Sequence, residues 1–356
     1  MTTRTALVGC GFIGGVHSTA LRALGTAGLV DARVASTYDP DPARAARLAA
    51  AHPGCTAAGT LGQALDGADA VWVCTPTSSH LEVVAAACDR GLAVFCEKPL
   101  APGLAESKAL VDRVAAAGVP AQVGLVLRSA PVFARLHEAL QDAAANGPVM
   151  SAVFRDDQFF PIQGHYASTW RADRAVAGGG ALIEHSIHDL DALSWLLGPV
   201  TEVSAVTANH AGHPGIEDVA HVTLTHASGA RSALVSLWHG ILSRPSTRRL
   251  EVFCRDRLYW LDDDMTGPLH VEGPGGPEPD RGPGPDFLEL AAALPVPEEW
   301  RVALAGYAAA DRAFLDAVAG GRPPAPGLAD ALRAHVLVDA VYRSAEAGTP
   351  VNVALL

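Results

Sequence analysis

Apolar runs in the first third of the chain are short, and stretches of helical period separate them. Thr5–Gly9, Ala32–Tyr38, Ala70–Cys74, Leu92–Cys96 and Ala121–Leu127 predict strands, with helices at Asp41–Ala51, Ser79–Arg90 and Leu104–Ala117. Strict strand–helix alternation predicts a doubly wound parallel sheet covered on both faces. Around Arg128–Pro131 the alternation stops. A helix over Val132–Ala145 leads through Gly147-Pro148 into Met150–Phe154, Glu202–Ala208, Val219–Thr225, Ser232–Trp238, Leu250–Phe253 and Arg257–Leu261. Strands in such a series predict a large, mainly antiparallel sheet within an α/β domain. Arg255-Asp256 predicts a tight hairpin. Residues 266–286, crowded with Gly and Pro, predict an exposed loop. Trp300, Leu304, Tyr307, Phe314, Leu315 and Val318 then share one helical face, and Leu328–Ala347 predicts a last helix.

The first strand ends in Gly9-Cys10-Gly11-Phe12-Ile13-Gly14, and an amphipathic stretch follows at once. Strand, glycines, helix is the order that a dinucleotide site requires. Gly9 serves the tight turn, Gly11 the approach of backbone to pyrophosphate, and Gly14 the close packing of helix on strand. Phosphates then meet free N–H groups at the positive end of the helix. Asp39 follows the second strand, where an acid meets the adenosine ribose hydroxyls. In Asp39-Pro40-Asp41-Pro42 it is equally placed as a turn or cap acid, with Asp41 competing. No Arg follows Asp39 immediately, so the pattern favours NAD over NADP, with Arg44 the residue that weakens the preference.

Two further loops leave strand ends. Thr75-Pro76-Thr77-Ser78-Ser79-His80 can pass beneath the nicotinamide half or simply cap the next helix. Glu97-Lys98-Pro99 puts a charged pair directly after a very apolar strand, and its X-Pro bond is a candidate for cis. A surface turn is the plain alternative. Later, Gly178-Gly179-Gly180 introduces a helix over Ala181–Leu197 on which Glu184, His188 and Asp191 stand at i, i+4 and i+7. A carboxylate one turn from a histidine can orient the ring and raise its basicity. Taken alone, the stripe reads more readily as a solvated polar face with a favourable Glu–His pair. Glu184 and His188 resemble half of a metal site, but no third ligand is evident, so no metal is expected.

Composition narrows the class. With 356 residues the chain divides naturally in two, at 1–127 for dinucleotide binding and 128–356 for substrate binding and oligomerisation, with C-terminal helices free to pack back on the first domain. The net charge of −12 leaves no basic stripe for nucleic acid or an anionic membrane. Neither a leader pattern nor a membrane-length apolar run is evident, which makes the expected location cytoplasmic. Six cysteines without C-x-x-C spacing read as reduced and structural.

Gly9–Gly14 with His17, Asp39, Thr75-Pro76-x-x-x-His80, Glu97-Lys98-Pro99, Arg128, and the glycine triplet leading to His188 and Asp191 occur in one order. Together they resemble the Gfo/Idh/MocA oxidoreductases, relatives of glucose–fructose oxidoreductase and inositol dehydrogenase. The resemblance implies a Rossmann domain joined to an α/β domain whose open sheet mediates homodimers or homotetramers. It implies hydride transfer between NAD and a secondary hydroxyl or ketone of a sugar, inositol or related polyol. Lys98 and His188 take the catalytic positions, and Glu184 stands where many members carry Asp, with His185-Ser186 replacing a commoner small pair. The implied cofactor set is Gly9, Gly11, Phe12, Ile13, Gly14, Asp39, Thr75, Pro76, His80, Glu97, Lys98 and Arg128. In the implied mechanism His188 takes the hydroxyl proton and Lys98 stabilises the same oxygen, with Glu97 and Glu184 orienting them. Tyr166, Trp170 and Arg171, with neighbouring His165, precede the glycine triplet and are candidates to line the substrate pocket beside Lys98, Glu184 and His188. Two alternatives stay open: a redox-neutral glycosidase using retained NAD, and a non-catalytic nicotinamide sensor, against which the retention of Lys98 and His188 argues.

Overall fold

The computed structural model describes residues 2–353 and divides into two compact units, one of residues 2–126 and 286–332 and the other of 127–285 and 333–353. The first unit is built on β1 (Thr3–Val8), β2 (Ala32–Tyr38), β3 (Thr56–Ala57), β4 (Ala70–Val73), β5 (Ala93–Cys96) and β6 (Ala121–Val123). All pair in parallel in the order β3-β2-β1-β4-β5-β6. The intervening helices are α1 (Phe12–Thr26), α2 (Pro42–Ala49), α3 (Leu61–Leu65), α4 (His80–Cys88) and α5 (Leu104–Ala117). Every residue of β4 and β5 is buried, as the central strands of a sheet covered on both faces must be. Strand order reverses between β1 and β4, which opens a crevice at their carboxyl ends. That switch point is where open α/β sheets bind ligands.

The chain then forms α6 (Pro131–Leu140) and α7 (Ala143–Asn146), so the single helix expected over Val132–Ala145 is interrupted, with Asp142 capping the second piece at Ala145 N. β7 (Val149–Phe159) runs five residues beyond the expected end at Phe154. Arg155-Asp156-Asp157-Gln158 concealed the extension because these polar residues look like a loop, yet Asp156, Asp157 and Gln158 are buried. After α8 (Arg174–Ala177), a π-helical turn at Leu182–Ser186 opens directly into α9 (Ile187–Leu197). Seven strands follow: β8 (Val200–Ala208), β9 (Val219–His226), β10 (Arg231–His239), β11 (Thr247–Cys254), β12 (Leu258–Leu261), β13 (Leu269–Gly273) and β14 (Gly276–Arg281).

With β15 (Val351–Asn352) they complete a nine-stranded sheet in the order β14-β13-β12-β11-β7-β10-β9-β8-β15. The β7–β10 pair is parallel and the rest are antiparallel. The exposed loop expected over 266–286 is largely the β13–β14 hairpin. Leu269 and Val271 are buried, Gly276 turns the chain at φ +104°, and Pro277 and Pro279 sit on an edge strand that tolerates missing N–H donors. One face of the sheet carries the core formed with α6 and α9, including Phe133, Phe154, Leu190, Leu193, Leu234 and Leu250. Met150, Val153 and Val206 are exposed.

α10 (Pro285–Ala293) and α11 (Glu298–Ala319) return to the first unit. Phe314 packs edge-on against Trp72 and Phe95, centroids 5.2 and 5.7 Å away. Such aromatic pairs each add about 0.5–1.5 kcal/mol beyond the area they bury. Trp300, counted with the apolar face of this helix, is 63% exposed instead. In α12 (Leu328–Ala347), Leu328 and Ala331 join the core of the first unit, and Ala334, Leu337, Val338 and Val341 that of the second.

Candidate active site

In the glycine loop, Gly9 turns at φ +94°, and a Cβ there would lie 2.5 Å from the Cys74 carbonyl. A Cβ on Gly14 would lie 2.0 Å from Gly9 O, so helix and strand meet only because both positions lack side chains. On Gly11 it would meet nothing within 4 Å, which leaves open space where backbone can approach a pyrophosphate. Gly11 is the N-cap of α1 and supplies no side-chain bond, so the first N–H groups of this four-turn helix stay available to phosphate oxygens. Asp39 braces the loop: one carboxylate oxygen accepts Cys10 N at 2.8 Å and the other accepts Asp41 N at 2.9 Å. The cap of α2 is Asp41, whose carboxylate accepts Ala43 N and pairs with Arg44. Phe12 is exposed and Ile13 half-buried beside it. Thr75 Oγ1 is buried and has no hydrogen-bond partner among the described residues, a polar atom suited to a bound cofactor's amide or hydroxyl. The loop geometry therefore fits a dinucleotide.

Thr75-Pro76 follows β4, and Glu97-Lys98-Pro99 follows β5, with the Lys98–Pro99 bond cis. His80 bridges the two loops through Thr75 O at 3.0 Å and Pro99 O at 2.9 Å. Glu97 is 7% exposed, accepts the backbone N–H of Lys98 at 3.2 Å, and binds His17 Nε2 at 3.0 Å. The other nitrogen of His17 lies 2.8 Å from Asp311 of α11, whose same oxygen accepts Trp72 Nε1. Burial alone would strip the His17 proton, but the Asp311 and Glu97 carboxylates outweigh it and pull the imidazole up to about 10.

The glycine triplet of the second unit exists for Glu217 and Tyr342. A Cβ on Gly180 would fall 1.8 Å from Glu217 O, and one on Gly179 would fall 2.2 Å from the Tyr342 hydroxyl. In the space so left, Glu217 accepts Gly180 N and Leu182 N and the Tyr342 hydroxyl, which caps the entry to the π turn. Glu184, His188 and Asp191 are 2%, 6% and 3% exposed, so the stripe is no solvated face. Glu184 lies in the π turn and His188 in the α-helix after it, so the i, i+4 offset of an uninterrupted α-helix does not carry across the pair. Arg171 Nε donates to Glu184 at 3.0 Å and stacks over Trp170 at 4.4 Å. The Arg128 fork is bidentate on Asp191 at 2.7 and 2.8 Å and lies over Trp195. His165 and Tyr166 pack with Phe159, and burial pushes the Tyr166 phenol up.

Beside this helix lies a buried cluster that periodicity did not expose. Arg248 of β11 donates to Asp189 and Asp264 at 2.7 Å and reaches Asp156 of β7 at 3.5 Å. Ser186 binds Asp156 and Ser236, and His185 Nδ1 lies 3.2 Å from Asp156. Burial pushes the Asp156 carboxyl well above its ordinary range; Arg248 opposes this and Asp189 adds to it. One sequence signal was available for Lys98: the chain has two lysines, Lys98 and Lys108, against 24 arginines. Lysine differs from arginine in carrying a compact ammonium with three donors rather than a planar fork.

Among the described residues no group of three or more His, Cys, Asp or Glu is arranged to hold a metal ion, and no helix is long and apolar enough to cross a membrane. All six cysteines are free thiols. The NAD-binding Rossmann-fold profile of the Gfo/Idh/MocA oxidoreductase family matches residues 3–125, and its C-terminal α/β-domain profile matches residues 152–353. The chain is 29% identical to an inositol 2-dehydrogenase of Rhizobium meliloti, covering 99% of this chain and all of that one. It is 30% identical to inositol 2-dehydrogenase 2 of Paenarthrobacter aurescens over 97% and 96% of the two chains. Its fold matches a levoglucosan dehydrogenase solved with NADH and levoglucosan, at a TM-score of 0.86 and 22% identity over 99% of each chain. The chain therefore belongs to the Gfo/Idh/MocA family and is an NAD-dependent dehydrogenase or reductase of CH–OH groups.

Proposed function

We propose that this enzyme moves a hydride between NAD and a secondary carbon of an inositol, sugar or related polyol, with Lys98 and His188 carrying the chemistry. The observation that carries the reading is the lysine itself: one of two in the chain, at the carboxyl end of β5, on a loop gripped by buried side chains. The inositol dehydrogenases to which the chain is similar along nearly its whole length support the substrate class. NAD, when bound, supplies the hydride acceptor. Lys98 holds the reacting oxygen by a charge-assisted hydrogen bond and stabilises negative charge developing there. His188 accepts the hydroxyl proton during oxidation and returns it during reduction. Glu184, tied to Arg171, orients substrate hydroxyls, and Tyr166 and Trp170 add apolar and hydroxyl contacts to the same ligand. Asp39 keeps a carboxylate at the ribose position and so favours NAD over NADP. The six free thiols support a reducing, cytoplasmic setting, and the exposed Met150, Val153 and Val206 support pairing of chains through the sheet.

The test is reduction of NAD⁺, then NADP⁺, followed in the near-UV with myo- and scyllo-inositol, aldoses and glycosides. A rise with NAD⁺ and one polyol class is expected. Release of sugar from a glycoside without net NADH would replace the reading with the redox-neutral one. Cofactor binding without either reaction across the panel would replace it with the sensor.

A further inference from the structure

Lys98 lies between two residues that are each pinned by a buried histidine. On one side, Glu97 uses one carboxylate oxygen to accept the Lys98 backbone N–H and the other to bind His17. A Cβ on Gly124 would sit 2.3 Å from the Glu97 carboxylate, so a glycine makes the room in which that group lies. On the other side, the Pro99 carbonyl is held by His80, which also holds Thr75 O. Both histidines are 1% exposed. Neither belongs to an apolar contact set alone: His17 faces Glu97 and Asp311 through its nitrogens, and the rings of Phe95 at 5.0 Å and Tyr307 at 5.8 Å. Carboxylate oxygens only accept hydrogen bonds, so with a carboxylate at each nitrogen the ring carries both protons and is an imidazolium.

The origins of the two anchors matter. His17 lies one turn into α1, the helix whose N-terminus receives the pyrophosphate, and Asp311 comes from α11. His80 opens α4, directly after the Thr75-Pro76 loop. The lysine loop is therefore tied to both segments that hold the cofactor, on either side of the reacting residue.

We propose that His17 and His80 are positioning residues for Lys98, and that the His17 imidazolium also balances Glu97 and so sets the charge environment in which the Lys98 ammonium titrates. The proposal rests on the reading of Lys98 as the residue at the reacting oxygen. A merely structural pair of histidines would lower stability when replaced and leave the lysine's environment alone. A positioning pair changes where the ammonium sits and how readily it titrates. Loss of the His17 charge leaves the carboxylates of Glu97 and Asp311 less balanced, which favours the ammonium form of Lys98.

The scarcity of lysine makes this directly measurable. In a Lys108→Arg background, lysine labelled with ¹³C at Cε gives a single side-chain signal, that of Lys98, which can be titrated in the NADH complex. His17→Gln is expected to raise the Lys98 midpoint by about half a pH unit or more. His80→Gln is expected to move its signal toward that of a free lysine. With myo-inositol or whichever panel compound turns over, each should lower kcat about tenfold and leave the NADH Kd within about threefold, with the pH limb of kcat moving alongside the midpoint in His17→Gln. A Lys98 signal and midpoint unmoved in both folded variants would overturn the proposal. Should His17→Gln fail to fold, His80→Gln decides alone by the same signal. A separate Lys98→Met variant that keeps its turnover would sink the role of Lys98, while the titration would still report whether the histidines position it.

Discussion

Each unit buries one cation among carboxylates, and the two choose different cations. In the first unit His17 sits between Glu97 and Asp311; in the second Arg248 sits among Asp156, Asp189 and Asp264. Negative charge exceeds positive in both. A guanidinium never gives up its proton, so the excess around Arg248 is relieved on the acid side, and Asp156 holds a proton far above the usual carboxylate range. An imidazole can titrate, so around His17 the surplus of carboxylate keeps the cation itself charged, up to about 10. The identity of the cation decides which partner adjusts. It also suits what each cluster holds: Arg248 fixes Asp189 and, with Ser186, the helix on both sides of His188, whereas His17 holds the short loop of Lys98.

Arg248→Leu should have the largest effect on stability. It leaves Asp156, Asp189 and Asp264 without their cation, two of these acids fully buried, and should cost about 3–5 kcal/mol in urea unfolding. Little loss would mean that the cluster is already neutral without its guanidinium. Next comes Gly180→Ala, whose Cβ would meet the Glu217 backbone and which should cost about 1–3 kcal/mol by overpacking at the entry to the π turn. The same change at Gly11, where the space is open, should leave stability nearly untouched and weaken NADH instead.

The smallest expected effects are in pH dependence, and they separate the clusters. Asp156 binds its proton more tightly folded than unfolded, so its contribution is fully present below about pH 4 and declines as pH rises through its raised range. His17 has the same sign in another window: its contribution is intact below about pH 6.5 and is lost as pH rises through about 10. Thermal unfolding followed by circular dichroism should show Asp156→Asn flattening the Tm profile from about pH 4 upward and His17→Gln flattening it on the alkaline side. A flattened profile in the wrong window would reverse the assignment of which group carries the excess proton.

Much of this was legible in the chain. Alternation of β-branched runs with helical periods gave the parallel sheet, and the glycine spacing gave the cofactor loop, because both rest on local rules of backbone and packing. The clusters were not. Asp156 and Asp157 sit in a stretch that reads as a loop, and Arg248 from β11 and Arg244 from the loop before it turn them into buried strand residues. Asp311 is one acid on a long helix until Trp72 and His17 meet it. The π turn changed the spacing on which Glu184 and His188 were paired, and Arg171 is the charge that Glu184 finds. Partners more than ten residues apart decide these features, and no period in the sequence encodes them.

Whether Lys98 does chemistry rather than cofactor binding is decided by single-turnover NADH formation with Lys98→Met, alongside NADH binding on the same preparation. A catalytic Lys98 lowers the rate about a hundredfold or more in this variant and changes the NADH Kd by less than about threefold. An unchanged rate, or a loss of NADH affinity as large as the loss of rate, would contradict it.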